Sequence, residues 1–479
     1  MNFIVRFAML LTLACCAVQP ARAADPEQLG RSCHLPGSEE GLRCMTVKVP
    51  LDYRQPGGAS LAIHVTVAPA FRESAKPDPL FVLAGGPGEA GSDVVALLNN
   101  TFRRIRATRA IVFIDQRGTG RSGKLDCEAP DSADDMSQAE QEASVRACLA
   151  RFKQAFAAYT TANAARDLDL VRRALGYRGI NLWGGSYGTR LAQAYARQFP
   201  ATTRALILDG VAAPEQIIPA GGRDGQAALD LLFKQCAADR ACQRAFPALR
   251  QEFDALRERV AAGTVKVQMA DPRTAEPVEL RMGSARFLGT VHNVLYNALD
   301  SRRLPFLIHS AYLGRWAPFM ARRNVASDLG GDAGPAMVLY LAVICAEDVP
   351  RLNPQFQAED ALGSFMGSER MVRLGAMCKA INVPAVPYTP PATITAPALL
   401  LSGALDPVTP PHRAQSAARR MTRAQHLIAA NVGHGLSQIG CTPRLMREFL
   451  DQPGKPVAAK CLSDIPAASF QVGNAGPPP

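Results

Sequence analysis

Gly179-Ile180-Asn181-Leu182-Trp183-Gly184-Gly185-Ser186-Tyr187-Gly188-Thr189 runs from a short apolar stretch, through glycines, into a helix-like segment from Arg190 to Phe199. The pattern G-x-S-x-G at a strand-to-helix junction is a nucleophile elbow. Glycines two before and two after the serine permit a turn so tight that Ser186 sits strained and exposed at the strand's end. The pattern is short, so its weight rests on its flanks and on what else the chain carries.

Outward from the elbow, short β-branched or apolar runs recur at Met45–Val49, Ser60–Ala68, Leu80–Ala84, Ala110–Asp115 and Arg204–Asp209. Helix-like stretches at Asn163–Leu175 and Arg190–Phe199 lie between them, and that alternation specifies an α/β fold with a mainly parallel sheet. After Asp209 the alternation stops. From about Pro214 to Pro390 the pattern is mostly helical, with segments at Gly225–Ala262, Ser284–Ser301, Pro305–Arg323 and Pro335–Ala346. A hairpin over Thr264–Met282 is expected to turn around Asp271-Pro272-Arg273. Strand character returns at Ala398–Ser402 and Gln425–Ala430, which makes the helical stretch an insertion into one core. The Gly/Pro-rich end, Gly473 to Pro479, reads as disordered.

The chain opens with Arg6, an apolar run from Phe7 to Val18, and Ala21-Arg22-Ala23, the three parts of a secretory signal peptide. Lipidation at Cys15 is the rival, but Thr12 stands where such sites favour leucine. No later run reaches the roughly 18 apolar residues of a membrane span, so the expectation is an exported protein, periplasmic or secreted. Cleavage after Ala23 removes Cys15 and Cys16 and leaves 10 of the 12 cysteines. They fall as neighbours: Cys33 and Cys44, Cys127 and Cys148, Cys236 and Cys242, Cys345 and Cys378, Cys441 and Cys461. An even count suits an oxidising compartment, local closure is the simplest connectivity, and no C-x-x-C or zinc spacing occurs. Cleavage also removes Arg6 and Arg22, lowering the net charge from +11 to +9. The arginines are spread along helix-like stretches without interleaved aromatics, so a solvated basic surface is favoured over nucleic-acid binding.

A serine hydroxyl needs a base to accept its proton, and the base needs a third group to hold its tautomer. On elbow-bearing sheets the chain order is serine, acid, histidine. Asp406 follows the apolar run Ala398-Leu399-Leu400-Leu401-Ser402 in an exposed loop and is the expected acid. Asp209, also at a strand end, is the rival. Of the histidines beyond Asp406, His412 is too close to it, and His426 lies inside a strand pattern. His434, between Gly433 and Gly435, suits a mobile-backbone loop and is the expected base. Oxyanion donors are expected at the backbone N–H groups of Tyr187 and of Gly86, with Gly85 the alternative, in the loop Gly85-Gly86-Pro87-Gly88. The stretch Gly118-Thr119-Gly120-Arg121-Ser122-Gly123 fits G-x-G-x-x-G after a strand, but no helix pattern follows to receive a pyrophosphate. It reads as a structural loop in which Asp115 and Arg117 pair.

Four motifs in order, Leu83-Ala84-Gly85-Gly86-Pro87-Gly88, Asp115 to Ser122, Trp183 to Thr189 and Asp406-Pro407-Val408-Thr409-Pro410, resemble the α/β-hydrolase serine peptidases of the prolyl and tripeptidyl aminopeptidase type. The block from His434 through Cys441 to Cys461 is similar to the C-terminal domain of the secreted tripeptidyl aminopeptidase-like members. Ala84 stands where prolyl aminopeptidases often carry histidine, which shifts weight to the tripeptidyl branch. The resemblance implies a signal peptide (1–23), an α/β-hydrolase core in two parts (24–213 and 391–465), a helical lid insertion (214–390) and a disordered tail (466–479). It also implies an exported serine peptidase acting near the N-terminus of peptide substrates, without metal or organic cofactor and without nucleic-acid or membrane-spanning partners. A cationic N-terminus calls for a carboxylate in the lid, and Glu347 and Asp348, at the end of a lid helix, are the expected pair. A carboxylesterase shares every catalytic group, though its loop is often of the HGGG type. A non-catalytic binding protein on this fold would be expected to lack a triad member, and none is missing.

Overall fold

The computed structural model describes residues 30–127, 137–153, 155–270, 275–324 and 334–476. The expected leader, residues 1–23, and the hairpin turn at 271–273 lie outside them. Strands β1 (Arg31–Cys33), β2 (Leu42–Pro50), β3 (Ser60–Ala68), β4 (Leu80–Leu83), β5 (Ile111–Ile114), β6 (Ile180–Gly185) and β7 (Thr203–Asp209) precede the insertion. The hairpin β8 (Lys266–Ala270) and β9 (Pro277–Arg281) lies within it, and β10 (Ala398–Gly403) and β11 (Ala424–Ala429) follow. Apart from the hairpin, these strands form one sheet in the order β1-β2-β3-β5-β4-β6-β7-β10-β11. Pairing is antiparallel from β1 to β5 and parallel from β5 to β11.

The parallel strands are continuous apolar runs because both of their faces are covered. Phe81, Leu83, Val112 and Ile114 pack with residues of helices Thr161–Ala174 and Tyr187–Gln198 on one face. Their alternate neighbours Leu80, Val82, Ile111 and Phe113 pack with Leu445, Met446 and Phe449 of helix Thr442–Asp451 on the other. This is the α/β-hydrolase fold.

The insertion breaks where the periodicity alone ran on. The stretch expected as one helix over Gly225–Ala262 is three, Gly222–Ala238, Arg240–Ala245 and Leu249–Ala261. Asp239 ends the first and caps the second, its side chain accepting the N–H groups of Ala241 and Cys242. Asn297 splits Ser284–Ser301 in the same way, capping Leu299 and Asp300. Two helices without an expected counterpart, Pro354–Ala361 and Glu369–Ile381, follow Met337–Glu347. The insertion has its own apolar centre, with Phe253 against Phe233, Phe287 and Phe365.

All five neighbouring cysteine pairs are joined: Cys33–Cys44, Cys127–Cys148, Cys236–Cys242, Cys345–Cys378 and Cys441–Cys461. Two expectations are corrected. The tail is ordered over residues 466–476: Phe470 is buried in the insertion's apolar cluster under the Arg302 guanidinium, and the Gln471 N–H donates to the Arg302 carbonyl. Burial of one aromatic ring outweighs the local Gly/Pro signal. Asp115 and Arg117 do not pair. Asp115 accepts from the Ser92 N–H and hydroxyl and from the Arg121 N–H, whereas Arg117 forms a two-pronged ion pair with Asp167 at 2.6 and 2.7 Å. The glycine-rich loop that joins them turns without entering a helix through Cys127. Among the described residues, no helix is long and apolar enough to cross a membrane.

Candidate active site

Ser186 stands between the last residue of β6 and the first of helix Tyr187–Gln198, at φ 53° and ψ −122°. A Cβ at position 184 would lie 2.4 Å from the Gly188 carbonyl oxygen, and one at 188 would lie 2.1 Å from that of Leu83. The elbow therefore requires both glycines: the chain doubles back on itself and against β4 more closely than any side chain permits. The Ser186 N–H donates to the Asp209 carbonyl at 2.9 Å, locking the turn to the end of β7.

The expected acid and base meet. His434 Nδ1 is 2.8 Å from Asp406 Oδ2, and the Asp406 side chain is fully buried. The backbone N–H groups of Val408 and Thr409 donate to Asp406 Oδ1, each at 2.9 Å. The Thr409 hydroxyl, to which no role was assigned from the sequence, donates to Asp406 Oδ2 at 2.6 Å and lies 3.0 Å from His434 Nδ1. Its position three residues after an aspartate, a side-chain-capped turn, was the signal available. Burial opposes ionisation of Asp406, but His434 and these donors outweigh it and hold the carboxyl below its ordinary range. For His434, burial pulls downward, and Asp406, Asp209 and Glu89 together raise it above 6.5.

The other histidines stand elsewhere. His412 Nε2 lies 3.4 Å from Asp224, and His426 meets the Ser402 hydroxyl inside the sheet. Asp209, the rival acid, fastens the histidine loop: it accepts the Leu436 and Ser437 N–H groups at 2.7 and 2.8 Å. On the opposite side the His434 N–H donates to the carbonyl of Tyr296, whose ring packs edge-on to the imidazole with centroids 5.2 Å apart. A Cβ at Gly210, next to Asp209, would fall 2.9 Å from His434 Cε1. The imidazole thus lies against the end of β7, whose Asp209 carbonyl also holds the Ser186 N–H. No hydrogen bond joins Ser186 Oγ to His434 among the described residues; such bonds often tighten only with substrate bound.

Gly86, Ser186 and Tyr187 share the wall of a cavity of about 180 Å³ that reaches into the insertion. The Gly85 N–H is taken by Glu89 Oε2 at 2.8 Å, whereas the Gly86 N–H has no acceptor among the described residues. Tyr187 opens its helix, so its N–H carries the positive end of the helix dipole.

Glu347 and Asp348 require a correction. Neither lines this cavity. Asp348 is fully buried and holds Arg190 through two 3.0 Å contacts and Arg351 through one of 2.5 Å. Glu347 accepts the Thr161 N–H and hydroxyl at 2.6 and 2.7 Å, and that hydroxyl also meets Tyr187. Proximity in sequence to the lid's return is no guide to which way a carboxylate faces, because buried donors, here arginines for Asp348 and Thr161 for Glu347, compete for it. Asp348→Ala, which strands Arg190, is expected to lower stability by about 3–5 kcal/mol. Urea unfolding measures this, and an unchanged midpoint with a raised KM would restore the substrate role.

Comparison with known proteins bears on both halves of the site. Residues 78–239 match the alpha/beta hydrolase fold family, and residues 364–461 match the family described as TAP-like protein. The chain is 32% identical over 213 residues to serine protease Hip1 of Mycobacterium tuberculosis (strain H37Rv), covering 41% of this chain and 39% of the relative. It is 30% identical over 223 residues to tripeptidyl aminopeptidase of Streptomyces lividans, covering 42% and 41%. It is also 35% identical over 224 residues to carboxylesterase B of Mycobacterium tuberculosis (strain CDC 1551 / Oshkosh), covering 43% of each. The matches span about two fifths of the length of these relatives.

Proposed function

We propose that this chain, an α/β-hydrolase with a TAP-like C-terminal segment, is an exported serine peptidase that cleaves peptide bonds near the N-terminus of its substrates. The observation that carries the reading is His434, held by Asp406 at 2.8 Å and lying against Gly210 at the end of β7, the strand whose Asp209 carbonyl holds the N–H of the cavity-lining Ser186. His434 takes the proton of Ser186 Oγ as that oxygen attacks the substrate carbonyl, and the N–H groups of Tyr187 and Gly86 receive the oxyanion. The proton then passes to the leaving amine, an ester joins the acyl group to Ser186, and water activated by His434 releases it. With Glu347 and Asp348 engaged elsewhere, Asp360, although it also accepts the Gly222 and Arg223 N–H groups, is the acid left on the cavity wall to receive a substrate ammonium. The names of two relatives, a serine protease and a tripeptidyl aminopeptidase, support peptide substrates. The signal-like residues 1–23 and five disulfides support export.

The catalytic groups serve esters equally, and one relative is named a carboxylesterase. Free and N-blocked peptide amides run beside a short-chain ester, with wild type and Ser186→Ala, separate the readings. Ser186-dependent turnover of free peptides is expected. Turnover of the ester only would sink the peptidase assignment, and no Ser186-dependent turnover would leave a binding protein.

The pH dependence follows from His434, which accepts a proton only when neutral. Its pKa in the folded protein is raised above 6.5, so kcat/KM is lost as pH falls through a midpoint above 6.5. A midpoint well below 6.5 would contradict the assignment of base.

A further inference from the structure

One guanidinium on the cavity wall lacks an acidic partner. Arg370 lies in the first turn of helix Glu369–Ile381, exposed, and shares the cavity wall with Tyr340. Among the described residues no carboxylate pairs with it. Glu369, beside it in the first turn, answers the helix dipole but makes no ion pair with the guanidinium. The helix is tied to Met337–Glu347, which carries Tyr340, by the disulfide Cys345–Cys378, so the two helices that bring Arg370 and Tyr340 to the wall are fixed to each other.

The rest of the wall supplies nothing that answers this charge. His292 is pulled down to about 4 by burial and then by Arg370, so it is neutral. Tyr296 is pushed up to about 12 by burial, so it is neutral too. Asp360, the one acid on the wall, already accepts the Gly222 and Arg223 N–H groups at 3.0 and 3.4 Å, with Arg223 Nε 4.0 Å away. The remaining lining is apolar or uncharged, including Ile218, Pro219, Met366 and Met371. At about 180 Å³ the cavity admits a residue or two rather than a folded segment.

We propose that Arg370 receives a carboxylate of the substrate, so that the preferred substrates are short peptides bearing one close to the scissile bond. This rests on the peptidase reading and adds the substrate class to it. A planar guanidinium matches a carboxylate through two parallel hydrogen bonds. The carboxylate has two chemical sources, the free C-terminus of a short peptide and an acidic side chain.

The test uses unblocked alanine tetrapeptides in matched arms: free C-terminal acid against C-terminal amide, and, within the amides, glutamate against glutamine at each position in turn. Wild type is expected to favour one carboxylate-bearing arm by about 10- to 100-fold in kcat/KM, the usual worth of a hydrogen bond to a charged group. The effect should fall mainly on KM, and the favoured arm identifies the source. R370Q should abolish the preference, and R370K should keep a weakened one, charge remaining where the fork is lost. Equal kcat/KM across all arms in wild type, or a preference that survives R370Q, overturns the proposal. The same comparison by calorimetric titration on S186A protein needs no turnover. There a carboxylate preference that R370Q in the S186A background removes supports the proposal even if the peptidase reading fails, and binding without preference, or no binding, overturns it.

Discussion

Ser186→Ala protein is expected to fold as the parent does and to hydrolyse peptides about a millionfold more slowly, the scale seen when a triad nucleophile is removed. Alanine keeps the Cβ that the elbow already accommodates at φ 53° and removes only the oxygen. The Ser186 N–H to Asp209 bond and the packing of helix Tyr187–Gln198 do not involve the hydroxyl. Circular dichroism and the thermal midpoint check the fold, and the rate on a free-amine peptide amide checks the chemistry. Activity within about tenfold of wild type would remove Ser186 from the mechanism and with it the proposed acyl-enzyme.

Asp406→Asn is expected to lower kcat by about 10⁴-fold, because an amide nitrogen facing Nδ1 favours the wrong imidazole tautomer. Asp209→Asn separates the two carboxylates that lie near His434. It keeps one acceptor for the Leu436 and Ser437 N–H groups and loses the other, so the expected loss is about 1–3 kcal/mol of stability. The acid limb of kcat/KM should move to lower pH, because one of the charges that raise the His434 pKa is gone. Comparable loss of kcat in both variants would mean that Asp209, not only Asp406, acts on the imidazole directly.

Much of the site was readable along the chain because its parts are locally encoded. The elbow is backbone sterics written as Gly184 and Gly188. Asp406 and His434 follow strands marked by apolar runs, and each cysteine finds its neighbour within 33 residues or fewer. Helix interruptions in the insertion were legible in principle, since Asp239 and Asn297 are capping residues, but a continuous apolar periodicity masked them.

Partners of buried charges were not readable. Arg117 lies two residues from Asp115 and pairs with Asp167, 50 residues away. Asp348 faces Arg190, 158 residues away, instead of a substrate. Phe470 lies just before the Gly/Pro-rich end and is buried by the insertion. Local sterics and hydrophobic periodicity act over a few residues, so strand, turn, elbow and the order of the catalytic groups can be read from the amino acids in line. A buried charge takes whichever counter-charge the packed chain brings within about 3 Å, and a cavity's sign depends on which charges are left over. That selection happens only once distant segments have been folded together, and here it moved Glu347 and Asp348 away from the cavity and left Arg370 facing it.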